Sequence, residues 1–166
     1  MNLPIAPCLL VAWSVAVALC DCRSRRIPNS LVVAGLAAAL AVALWQRSPF
    51  NVSIAQAALG ATVGLIVLLP FFALGVMGAA DVKVFAVLGA WCGMHALLGL
   101  WVAASLFGGI HALWVLISTR TRLASLARHG GPTFAVGEKR ATPYAACLTG
   151  SALAWLVLQT LAGSVR

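Results

Sequence analysis

Long apolar stretches alternate along this chain with short clusters of charge. No side-chain charge falls within residues 1–20, 27–46, 48–80, 84–119 or 141–165. A helix crossing the hydrocarbon core needs about 20 apolar residues, within a range of roughly 17–25. The first two stretches therefore predict one span each, at 4–20 and 30–46, and the third predicts one at 53–75. The fourth is too long for a single span. Gly93, within Trp91-Cys92-Gly93-Met94-His95, offers a turn with an interfacial aromatic beside it, and this divides the stretch into helices 81–93 and 96–118. The last span is expected at 143–162. The pattern predicts an all-α, polytopic membrane bundle of about six helices, forming a single domain over residues 1–166.

Composition agrees with that pattern. Of the 166 residues, 63% are hydrophobic and 8% charged. A soluble domain carries roughly 25% charged residues, and a disordered chain lacks apolar residues instead, so both classes are excluded. The formal net charge of +8 reads as topology. Arg23, Arg25, Arg26, Lys83, Arg120, Arg122, Arg128, Lys139 and Arg140 fall on one side of a six-span arrangement, against Arg47 and Arg166 on the other. The positive-inside rule makes the basic side cytoplasmic, with both termini outside and attraction to anionic lipid headgroups. The partner of the basic charge is thus the lipid bilayer, and no nucleic-acid role is expected. Residues 1–20 lack a cationic leader region and run directly into arginines, so they are expected to stay as a helix.

The remaining polar features are sparse. Four of the five cysteines lie in or beside apolar spans and no C-x-x-C pair occurs, which predicts neither zinc nor a disulfide. His95, His111 and His129 have no helical metal-ligand spacing, and Glu138 reads as a solvated loop charge. The only sizeable hydrophilic segment is the loop 118–142, where Gly130-Gly131-Pro132 would break a helix. Gly60-Ala-Thr-Val-Gly64 and Gly89-Ala-Trp-Cys-Gly93 fit close helix–helix approach in lipid, within one molecule in preference to a dimer. The sequence leaves the oligomeric state open.

Chemistry concentrates in the two aspartates, Asp21 and Asp81, both expected at cytoplasmic helix ends. Singly, Asp81 is explained as a helix cap and Asp21 as a border charge paired with Arg25. Together they suggest more. Asp21 sits at a helix C-terminus, the unfavourable end for a carboxylate. A pair of carboxylates at one face resists double ionisation and shares a proton. Such a pair can activate water and protonate a carbonyl with no serine, histidine, metal or cofactor.

The surrounding residues are similar to a known family. Asp21-Cys-Arg-Ser-Arg-Arg-Ile-Pro-Asn29 resembles the first aspartate motif of type IV prepilin (leader) peptidases, and Gly75-Val-Met-Gly-Ala-Ala-Asp-Val-Lys83 resembles their G-x-G-D motif followed by Val-Lys. Thr142-Pro-Tyr-Ala145 looks like the Pro-Tyr segment opening their last helix. The resemblance implies a GxGD-type aspartic endopeptidase with Asp21 and Asp81 catalytic. It also implies Gly78, Ala79, Ala80 and Lys83 as substrate-binding or site-shaping residues. The implied substrates are prepilins or pseudopilins with a basic, glycine-ended leader, cut at the cytoplasmic face of a bacterial inner membrane. The length resembles the short form serving Flp-type, tight-adherence pili, for which no methyltransferase segment is expected. One position departs from the family: Ala80 stands where the second motif glycine belongs. A required φ > 0 there would cost about 1–2 kcal/mol; otherwise the exchange is nearly free. Two other functions fit the same acids: a small transporter or channel subunit with Asp21 and Asp81 as a proton relay, and a catalytically silent assembly factor.

Overall fold

The computed structural model describes residues 5–24, 26–46, 48–127 and 144–162, which form six α-helices and, among these residues, no strand. They are α1 (Ile5–Ser24), α2 (Asn29–Leu44), α3 (Ile54–Ala73), α4 (Ala79–Cys92), α5 (Met94–Ala127) and α6 (Tyr144–Leu161). Helices α1, α3 and α6, with Met94–Trp114 of α5, are long and apolar enough to cross a membrane, and α2 is a shorter apolar helix. The bundle is a membrane helical bundle with Leu65, Ile66, Leu98, Val102, Leu106 and Ile110 turned outward.

Two boundaries differ from the sequence expectation. Helix α1 runs on to Ser24, so Asp21 lies inside its last turn. Helix α5 continues through Arg120 and Arg122 to Ala127, where a loop from 118 was expected. Nothing between 118 and 127 breaks a helix: the segment has no Gly or Pro, and Leu and Ala favour helix. At 34 residues, α5 is about 50 Å long, well beyond a hydrocarbon core of about 30 Å. The expected break at Gly130-Gly131-Pro132, the solvated Glu138 and His129 lie outside the described residues, as do Arg25, Arg47, Arg128, Lys139, Arg140 and Arg166.

Helix α4 is the shortest, with 14 residues, and only about 21 Å long. It is also the most enclosed. Val84, Phe85, Leu88 and Trp91 are buried, and α2, α3, α5 and α6 all pack against it. A helix apolar on every side belongs in an interior, and surrounded by other helices it has no lipid thickness to match.

Its closest neighbour is α3. At their crossing Gly60 meets Gly89 backbone to backbone, and a Cβ on either would run into the other's carbonyl. One turn away, Gly64 faces the backbone of Phe85 and Ala86. Both small-residue patterns therefore serve contact within the chain, as expected. The link between the two helices is equally tight. Gly75, at φ +71°, ends α3: its N–H donates to Phe72 O at 2.9 Å and the Val76 N–H to Phe71 O at 3.0 Å. This is a Schellman turn, whose left-handed residue favours glycine. At the far end, Gly93 (φ +76°) makes the turn into α5.

Helix α1 buries Leu10, Ser14, Val17 and Asp21 on one helical stripe. The Trp13 Nε1–H donates to Leu31 O at 2.9 Å, with its indole over Gly35, and so fastens α1 to α2. Substituting Gly60 or Gly89 by valine is expected to destabilise the bundle by about 1–3 kcal/mol or more through overpacking. Thermal unfolding of the detergent-solubilised protein checks this, and a wild-type midpoint would refute the crossing.

Candidate active site

The C-terminal end of α1 and the N-terminal ends of α2, α4 and α6 meet at one end of the bundle. Asp21 and Asp81 both lie there. Asp21 is only 7% exposed and continues the inward stripe of α1, so it is not the solvated border charge that its position alone allows. Asp81, half-buried, stands in the first turn of α4. The two carboxylates are close enough for each charge to act on the other.

The way they are brought together differs from the obvious one. Sixty residues separate the two aspartates, and the simplest assembly would lay α1 directly against α4. Among the described residues those helices share no substantial contact; α6 packs against both. Consecutive backbone groups at the start of α6 then serve the two acids. The Ala146 N–H donates to Asp21 Oδ2 at 2.9 Å, and the neighbouring backbone N–H of Ala145 acts on the Asp81 carboxylate, favouring its charged form. The first N–H groups of a helix have no partner within it, and carboxylates are strong acceptors for them. This explains an acid at the C-terminus of α1: its field comes from the N-terminus of α6. The Tyr144 hydroxyl lies 3.0 Å from Ser105 Oγ, and its ring packs over Gly108, which fastens this turn of α6 to α5.

The expected shaping residues all fall at the start of α4. Gly78 is its N-cap, with ordinary φ −74°. Its backbone N–H favours the charged form of Asp81 three residues on. A Cβ on Gly78 would sit 3.2 Å from Asp81 Oδ2, so the glycine leaves room for the acid. Ala79 opens the helix and Ala80 follows within it. Neither has positive φ; the residue that needs it is Gly75, outside the G-x-G-D quartet. Alanine at position 80 is thus compatible with the fold and a better helix former than glycine.

Lys83 does not turn to Asp81. Its Nζ donates to Asn29 Oδ1, at 2.8 Å, across to the first residue of α2. Asn29 therefore links the two aspartate segments. The backbone donors of Ala145 and Ala146 went unforeseen, although Pro143-Tyr144 signals a helix start and hence free N–H groups. His95 and His111 are exposed, away from packing. Among the described residues, no three His, Cys, Asp or Glu side chains gather where a metal could be held.

Ala80→Gly is expected to lower stability by up to about 1 kcal/mol, measured by thermal unfolding, because the position is already helical. A gain in stability would mean that the alanine is strained.

A family model described as the type IV leader peptidase family matches residues 8–113, well over half of the chain and including both aspartates. No curated protein and no solved structure matches.

Proposed function

This chain belongs to the type IV leader peptidase family, and we propose that it is a membrane-embedded aspartic endopeptidase with Asp21 and Asp81 as its catalytic pair. Its substrates are prepilins or pseudopilins of the Flp type, cut after a short basic leader at the cytoplasmic face of a bacterial inner membrane. The observation that carries this reading is the pair of adjacent α6 N–H groups, one on each carboxylate.

The reaction follows from two acids sharing one proton. The ionised carboxylate takes a proton from water, and the water oxygen bonds to the scissile carbonyl carbon. The protonated partner gives its proton to the carbonyl oxygen as the charge develops there. As the resulting diol collapses and the C–N bond breaks, the protonated acid gives its proton to the leaving amine while the ionised carboxylate takes one from a diol hydroxyl. One water is consumed, a new carboxyl and a new amine are formed, and the carboxylates return to their starting state. The exposed backbone at Gly78, beside Asp81, suits the approach of an extended peptide. A site at the end of the bundle meets the junction between leader and membrane helix without drawing the substrate across the bilayer. The same position argues against a proton relay through the membrane, which would need ionisable groups at depth.

Asp21→Asn and Asp81→Asn keep the side-chain shape and remove the acid. Each is expected to slow leader removal from a co-expressed prepilin by about 100-fold or more, with protein abundance unchanged. Persistent cleavage by both variants would overturn the assignment. With wild-type protein, the rate should fall on either side of the pH range in which the pair holds one proton, in two steps that belong to the pair. A profile with a single step would count against shared-proton catalysis.

A further inference from the structure

Resting on that reading of the two aspartates, we infer that Lys83 is a positioning residue. Its bond to Asn29 sets the distance between the two carboxylates. Lys83 follows Asp81 by two residues, which places it about 200° around the helix, on the side away from the acid. Its Nζ meets the Asn29 side-chain oxygen at 2.8 Å. That oxygen is free because the N-cap of α2 is Pro28 and makes no side-chain cap. The bond therefore joins the start of α4, which carries Asp81, to the start of α2.

Helix α2 is in turn tied to α1. The connection between them is residues 25–28, and Trp13 is bonded to Leu31 in the first turn of α2. Any shift of the α2 start relative to α4 is thus transmitted to Asp21. Since α1 and α4 share no substantial contact, the carboxylates are related along two routes, through α6 and through α2, and this bond is the polar tie on the second. The first acts on the acids from one side of the bundle and the second holds their parent helices on the other. With the bond removed, only apolar packing would hold the start of α2 against α4, and an aspartic pair that must hold one water between its two acids tolerates little change in spacing.

The bond is exposed, so its loss should leave the bundle folded. The test uses the full-length protein in proteoliposomes, with a purified Flp-type prepilin as substrate, and compares Lys83→Met, Asn29→Leu, the double variant and Lys83→Arg. The expected result is a drop in kcat of about tenfold for either single variant, with KM within about twofold. The double variant should be no worse than the singles, arginine should recover most of the rate, and the thermal midpoint should not move. Three results would overturn the inference: kcat unchanged in Lys83→Met; a loss confined to KM, which would make Lys83 a substrate contact; or a loss only in anionic liposomes, which would make it a lipid anchor. Asp21→Asn and Asp81→Asn run alongside. If they still cleave, the aspartate reading itself fails; if they are dead while Lys83→Met is normal, only the positioning role does.

Discussion

Two consecutive backbone N–H groups at the start of α6 hold the two acids of this protein in one place, and the remainder of the arrangement depends on them. A helix start leaves donors without partners, and a carboxylate taken out of water is costly without donors. Here each need is met by the other. Because α1 and α4 scarcely touch, α6 is what turns two aspartates into a single site. Its first turn is held in turn by Tyr144 against Ser105 and Gly108 on α5. The last helix of the bundle thus contributes no functional side chain of its own but supplies the frame in which the others work.

Asp81 needs an equally firm mount, and it gets one from packing. The Gly60–Gly89 crossing brings α3 and α4 to backbone contact, and the Schellman turn at Gly75 joins them by a short link. Together these fix both the register and the starting point of α4. In lipid, where apolar side chains gain little by leaving the solvent, close backbone approach supplies the attraction between helices. A short helix enclosed by four others is a rigid support, and the acid sits at its first turn.

The apolar stretches and their charged borders made six helices legible, since spanning segments are written in length and composition. The break at Gly93 was legible because the stretch 84–119 is too long for one span and glycine beside an aromatic offers a turn within it. The two aspartates stood out because acids are so rare here. What could not be read was how they meet. Backbone donors at Ala145 and Ala146 have no side-chain signature, and alanine at those positions looks like any other alanine in an apolar helix. The assembly through α6 is a property of three-dimensional packing, which no spacing along the chain encodes. The role of Gly78 was partly legible: its smallness mattered, but for Asp81, and the conformational demand fell on Gly75. The end of α5 is not legible from the charged residues, because arginine continues a helix well once it has left the membrane.

One further consequence follows from how the charges are divided at this end. The starts of α4 and α6 lie at the acids, and the free N–H groups of these first turns bring positive potential to them. That potential helps to make buried carboxylates tolerable. Among the described residues neither aspartate forms an ion pair, and Lys83, the cation nearest in sequence to Asp81, is bonded to the neutral amide of Asn29. A salt bridge would fix one acid in its ionised form and oppose the exchange of a proton between the two. Peptide groups at the starts of α4 and α6 stabilise negative charge at the site as a whole without assigning it to either oxygen pair. A pair of acids proposed to pass one proton back and forth is therefore better served by backbone than by a bonded lysine.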